Sequence, residues 1–129
     1  MGGMAPDVIE QVKNCPVEFT SRIVGKKFTF LILRNMMNFG HTRFNQLQTI
    51  EGIHTKTLSL RLKEMQKNGL IERKVYHETP IRIEYFITER GIALKPLLEQ
   101  MTAFSIKHYP KEIFKDGKSR TLSEFYGSS

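Results

Sequence analysis

Apolar residues repeat along this chain first at helical spacing, then at strand spacing, then at helical spacing again. The stretch His54–Gly69, HTKTLSLRLKEMQKNG, is the sharpest case. Leu58, Leu62 and Met65 fall at i, i+4 and i+7, which is one face of a helix. Lys56, Leu60, Lys63 and Lys67 fall on the opposite side, with Thr57 and Ser59 at its edges. One face is therefore built to pack, and the other is basic and hydroxyl-bearing. Gly69 stands where a left-handed helix cap needs no Cβ. Directly after it the period becomes two. Leu70–His77 is rich in Ile, Val and Tyr, and Glu78-Thr79-Pro80 is a turn. Ile81–Thr88 alternates Ile81, Ile83, Tyr85 and Ile87 with Arg82, Glu84 and Phe86. The two runs predict a β-hairpin immediately behind the basic helix.

Upstream, Asp7 caps a short helix bearing Val8, Ile9 and Val12, and Asn14-Cys15-Pro16 breaks it. Pro16 suits the first turn of a second helix through Val17, Phe19, Ile23 and Val24, closed by Gly25. Lys26–Asn38 predicts a third helix. Its apolar face holds Phe28, Leu31, Ile32 and Met36, widened by Phe30, Leu33 and Met37, a breadth that means deep burial. Thr42-Arg43-Phe44 reads as a brief strand or the start of a helix. Phe44, Leu47 and Ile50 make a short helix, and Glu51-Gly52 is a turn. A short supporting helix joined by a few residues to a basic one is a helix-turn-helix, and the hairpin behind it is its wing.

Downstream, Thr88 caps a last helix striped by Leu94, Leu97, Leu98, Met101 and Phe104. Pro96 is expected to bend this helix and Pro110 to end it at Tyr109. The expected fold is mainly α with a small β-hairpin (α+β). It is a winged helix-turn-helix with extra N- and C-terminal dimerisation helices. Residues 1–13 form an arm and short helix, 14–108 the winged domain with its C-terminal dimerisation helix, and 109–129 a mobile tail with one turn around Leu122–Phe125.

Composition narrows the function. Twenty Lys and Arg against 13 Asp and Glu give a net charge of +7, which suits nucleic acid. The single cysteine, Cys15, excludes a disulfide within the chain and favours a reducing compartment. No apolar run approaches the roughly 20 residues of a membrane span. Met1–Pro6 lacks the basic start and apolar core of a leader, and Pro6 stands where a myristoylation signal wants Ser or Thr. The expected location is the cytoplasm. His41, His54, His77 and His108 are scattered and share no metal-ligand spacing with Cys15. There is neither a Gly-x-Ser-x-Gly elbow nor a phosphate-binding Gly-rich loop with Lys. No catalytic residue, metal or cofactor is expected.

The segments C-P-V-E (Cys15–Glu18), G-K-K-F (Gly25–Phe28), L-I-L (Leu31–Leu33), R-F-N-Q-L (Arg43–Leu47), N-G-L-I-E-R (Asn68–Arg73), R-I-E-Y (Arg82–Tyr85) and I-T-E-R-G (Ile87–Gly91) occur in this order. Together they resemble the HxlR family of winged helix-turn-helix transcriptional regulators, over about Asn14–Phe104. The resemblance implies a cytoplasmic homodimer on operator DNA, joined by its terminal helices. It also implies a possible sensing role for Cys15, since several members use that cysteine to detect oxidants or electrophiles. Three positions depart from the family. Phe28 replaces a Trp. His54 replaces a Ser at the start of the basic helix, where Thr55 is the alternative cap. Leu60 replaces a polar residue on the groove face.

The expected partners are double-stranded DNA with an inverted-repeat operator, a second copy of the chain, and an unidentified small-molecule inducer. The expected DNA-binding residues are Arg43 on a phosphate, Lys56, Ser59 and Lys63 in the groove with Thr57 and Arg61 beside them, and Arg82 on the wing. For Arg82 the alternative is a cross-strand charge pair. Val8, Val12, Leu94, Leu97, Leu98, Met101 and Phe104 are the expected dimer contacts. Cys15 lies at the positive end of the second helix with Lys13 nearby, a setting that suits a reactive cysteine; the alternative is a partly buried packing residue. The competing function is a winged-helix module that binds proteins through the same faces.

Overall fold

The computed structural model describes residues 3–127, so the reading of Met1-Gly2 and of the last two tail residues lies outside the described residues. In chain order the elements are α1 (Pro6–Ile9), α2 (Pro16–Val24), α3 (Thr29–Phe39), α4 (Phe44–Leu47), α5 (Thr55–Lys67), β1 (Ile71–Tyr76), β2 (Arg82–Ile87), α6 (Glu89–Ile92), α7 (Lys95–His108), α8 (Pro110–Ile113) and α9 (Leu122–Tyr126). The two strands form one antiparallel hairpin, in register from Ile71 opposite Ile87 to Tyr76 opposite Arg82.

The core sits between α3, α4, α5 and the hairpin. Ile32 and Leu33 of α3, Leu47 of α4, Leu58, Leu62 and Met65 of α5, and Ile71 of β1 are all fully buried. All three apolar positions of the α5 stripe thus point inward, so the opposite face must point outward. The end of α5 has a specific cause. Gly69 takes φ +77°, and the N–H groups of Gly69 and Leu70 donate to the carbonyls of Gln66 (3.0 Å) and Met65 (2.9 Å). This is a Schellman cap, with Leu70 and Met65 buried together across it. It turns the chain straight into β1.

Three expectations change and one open alternative is decided. The third helix starts at Thr29 rather than Lys26, because Phe28 adopts φ +79°, a left-handed conformation outside any helix, with its ring packed on the core. The segment before Phe44 is a helix start. Arg43 is extended there, and the Thr42 carbonyl accepts the Tyr85 N–H at 2.7 Å, fixing this segment to β2.

The expected last helix is two helices. Thr88 caps α6 through its hydroxyl, which accepts the Gly91 N–H at 3.1 Å. Gly91 lies against the Leu70 carbonyl, where a Cβ would collide. The chain turns at Ala93-Leu94, and Pro96 falls in the first turn of α7, where its missing N–H costs nothing. It therefore bends no helix. Finally, residues 110–127 are folded back on α7 instead of forming a loose tail. Phe114 and Phe125 pack edge to face at 6.2 Å. Arg120 pairs with Asp116 at 2.6 Å and stacks on Phe114, and the Ser119 hydroxyl donates to the Lys107 carbonyl at 3.0 Å. Thr121 and Glu124 form a capping box that starts α9, close to the expected turn.

Candidate nucleic-acid interface

The short supporting helix α4 sets the direction of α5 through side chains in the connecting turn. Gln48 donates through Nε2 to the Ile53 carbonyl at 2.8 Å and accepts from the Thr55 hydroxyl at 3.1 Å. Ile50 and Ile53 bury the turn's apolar side. His54 occupies the N-cap position with extended backbone and gives no side-chain cap. The Thr55 hydroxyl does not cap either, because it is bonded to Gln48. The first backbone N–H groups of α5 are therefore left without a side-chain cap or an intrahelical partner, which makes this end suited to an anion.

Along the outward face Lys56, Leu60, Lys63 and Lys67 are exposed, and Thr57 and Ser59 are half-buried at the edges. None of the three lysines has a carboxylate partner among the described residues. Leu60 stands 51% exposed between them.

The arginines behave differently. Arg61 does not join this face. Its Nε donates to the Lys27 carbonyl at 2.9 Å and its Nη1 lies 3.4 Å from Glu64. Lys26 also reaches Glu64 at 3.1 Å. Arg61 follows Leu58 by three residues and precedes Met65 by four, so it shares the packed side and clamps α5 to the segment before α3. Arg43 lies 3.4 Å from Glu84. Arg82 is held at 3.2 Å by both Glu78 and Glu84, with its guanidinium 4.0 Å above the Tyr76 ring. Glu84 is thus shared between two of the expected DNA-binding residues. Arg82 stands near the tip of the hairpin as expected, paired both with Glu84 of its own strand and with Glu78 of the connecting turn.

On the wing, the exposed cations without carboxylate partners among the described residues are Arg73 and Lys74 of β1. Lys74 rests its Nζ 5.3 Å from the Phe86 ring. Together with Arg90 these residues line an open groove beside the C-terminal end of α5. They were not among the expected contacts. The adjacent pair in the first strand was the available signal.

The expected dimer stripe divides in two. Leu94 and Leu98 pack against the chain's own core, in line with buried Ile106. Leu97, Met101 and Phe104 face outward. With Val17 of α2 and Phe30 of α3, Leu97 and Met101 line an apolar groove of about 480 Å³. Val17 is 76% exposed, and Phe19, Val8 and Val12 are exposed as well. Cys15 directly precedes α2. Its carbonyl accepts the Phe19 N–H at 2.9 Å, and the residue is exposed rather than packed. Among the described residues no group of three His, Cys, Asp or Glu could hold a metal ion, and no helix is long and apolar enough to cross a membrane.

Residues 23–113 match the model of the HxlR-like helix-turn-helix family. The HTH-type transcriptional regulator YybR of Bacillus subtilis is 38% identical over 90 residues, which are 69% of this chain and 71% of that protein. Among solved structures, the redox regulator HypR in its oxidised form is 37% identical, with a TM-score of 0.65 over 70% of this chain and 94% of that one. The reduced form of the transcriptional regulator YodB from B. subtilis is 35% identical, with a TM-score of 0.66 over 76% of this chain and 97% of that one.

Proposed function

Because the chain belongs to the HxlR-like helix-turn-helix family of DNA-binding transcriptional regulators, we propose that it acts as a homodimer that lays α5 in the major groove of an inverted-repeat operator. The observation that carries this reading is the outward face of α5, where Lys56, Lys63 and Lys67 stand without carboxylate partners among the described residues. Arg43, Arg61 and Arg82 are paired with Glu84 or Glu64, so these lysines, with Arg73 and Lys74 of the wing, are positive charge left for phosphates. Lys56 and Ser59 lie toward the N-terminal half of the helix, the part that reaches base edges in a helix-turn-helix. Arg73 and Lys74 extend the contact along the wing. Arg43 and Arg82 add to it only to the extent that Glu84 releases them.

The second copy docks on Leu97, Met101 and Phe104 together with Val17 and Phe19, the exposed apolar residues of α7 and α2. Two-fold symmetry then presents two equivalent α5 helices about one helical turn apart, or a multiple of that.

A response to oxidants is supported by a separate observation. Cys15 is exposed at the start of α2, whose own side chains join the proposed dimer face. HypR, whose fold matches this one, is a redox regulator known in an oxidised form, and YodB, which matches it too, is known in a reduced form. Two Cys15 thiols joining as a disulfide release two electrons and two protons to an oxidant such as diamide, and the link would tie the α2 helices of a dimer. Selection of duplexes from a random pool, with and without diamide, tests both parts. The expected result is a mirrored half-site pair whose affinity changes with diamide in the wild type and not in Cys15→Ser. A selected site without symmetry contradicts the dimeric mode. Equal responses of the two proteins remove Cys15 as the sensor.

A further inference from the structure

The C-terminal segments cover space that the DNA-reading function does not use. A cavity of about 410 Å³ opens between α3, α7 and α9, with Met37, Leu98 and Leu122 as apolar walls. A second of about 400 Å³ adjoins it beneath α8 and α9, and the two share Arg34, Leu98 and Thr102. Both have the size of sites that hold small organic molecules, roughly 300–1,000 Å³. Their cover, α9, lies beyond the residues that match the family.

Charge around the first cavity is unbalanced. Arg34 and Lys95 line it against Glu99 alone, and none of the three has an ion-pair partner among the described residues. Arg34 is also held in place. Asn35 is 3% exposed, and its Oδ1 accepts from Nε and Nη2 of Arg34 at 3.1 and 2.8 Å. The Phe39 ring lies 5.7 Å from the same guanidinium. A buried amide is tolerated only when its polar atoms are bonded. Here that bond fixes one edge of a guanidinium and leaves Nη1 without a hydrogen bond among the described residues. The Thr102 hydroxyl donates to the Leu98 carbonyl at 3.2 Å and lies 3.4 Å from the Tyr126 hydroxyl, so both line the same space as groups already bonded within the chain.

We infer that this cavity binds a small organic monoanion. Its body is apolar, of one or two rings, and its carboxylate takes the open edge of Arg34. Apolar walls and a fixed guanidinium with a free donor edge, beside Lys95, are the complement of such a molecule, and a charged hydrogen bond supplies the selectivity for an anion. A ligand there touches α3, which packs in the core beneath α5, and α7, which carries the outer apolar face. The site stands whether or not the chain binds DNA.

The test is a titration of the full ¹⁵N-labelled chain, without DNA, by two probes with the same rings and opposite charge: 1-naphthoate and 1-naphthylmethylammonium. The expected result is saturable amide shifts at Arg34, Leu98, Thr102 and Tyr126 with naphthoate, bound about tenfold more tightly than the ammonium. Arg34→Gln, a half-buried surface change, should abolish that preference while the spectrum stays that of a folded protein. Equal affinities in the wild type, a preference that survives Arg34→Gln, or shifts confined to Val17, Leu97 and Met101 would overturn the proposal. So would the lack of any saturable shift in the millimolar range.

Discussion

Arg61 and Lys63 lie two positions apart on one helix and do opposite work. Lys63 points to solvent and Arg61 ties α5 to the Lys27 carbonyl. Replacing Arg61 by Ala removes a hydrogen bond from a charged donor, which should cost about 1–3 kcal/mol of stability. Urea unfolding measures that loss. The salt dependence of duplex binding by the folded fraction should stay as in the wild type. A flatter salt dependence would place Arg61 on the DNA after all. Sequence spacing already contained this distinction, since Arg61 falls three and four residues from two buried positions. The Arg82–Glu84 pair was legible too, since the alternation in β2 puts both on one face. The fate of Arg43 was not, because its pairing with Glu84 depends on the Thr42–Tyr85 bond, a tertiary contact.

At the scale of elements, the parts that periodicity defines came through almost unchanged. The α5 stripe buries one face, which leaves a single workable orientation, whereas all six residues of β2 are half-buried, with Tyr85 and Ile87 packed on the core. Elements held by local polar chemistry were harder to see. The division of the last helix rests on one hydroxyl cap and a glycine under a carbonyl. The C-terminal cover rests on Phe114, Phe125 and Tyr126 and on the Thr121–Glu124 box, all present in the sequence but without a period to mark them. Asp116 offers a handle on this cover. The Arg120 guanidinium, and after it the Lys118 N–H, hold its carboxyl at about 2, well below the usual 3.8. A depressed carboxylate contributes stability in full above its ordinary value and loses it as pH falls from about 4 to about 2. The protection factors of the α9 amides, that is, exchange corrected for its intrinsic pH dependence, should therefore fall through that window in the wild type. In Asp116→Asn they should be lower at neutral pH and flat across the same range. Parallel curves for the two proteins would show that the pair does not hold the cover.

For the whole molecule, the arrangement separates two faces. The α5 face is cationic, and the face built by α2 and α7 is apolar, with Val17, Leu97, Met101 and Phe104 exposed on it. An apolar face of this kind on a monomer calls for a partner. Leu97→Asp with Met101→Asp places two charges where a second copy would bury them, which costs several kcal/mol when they are unpaired. Both side chains are exposed in the single chain, so the domain should still fold. Light scattering should report a dimer for the wild type at micromolar concentration and a monomer for the variant. A wild type that is monomeric under those conditions would refute this assembly.

The central claim is that the outward face of α5 meets DNA phosphates, and the salt dependence of binding tests it most directly. On duplex DNA each neutralised phosphate contributes about 0.9 to the slope of log K against log salt. Lys63→Gln removes one contact from each subunit, so the slope for the dimer should flatten by about two units, for all sequences alike if the contact is to phosphate only. An unchanged slope, in a variant that folds and dimerises as the wild type does, would contradict the account.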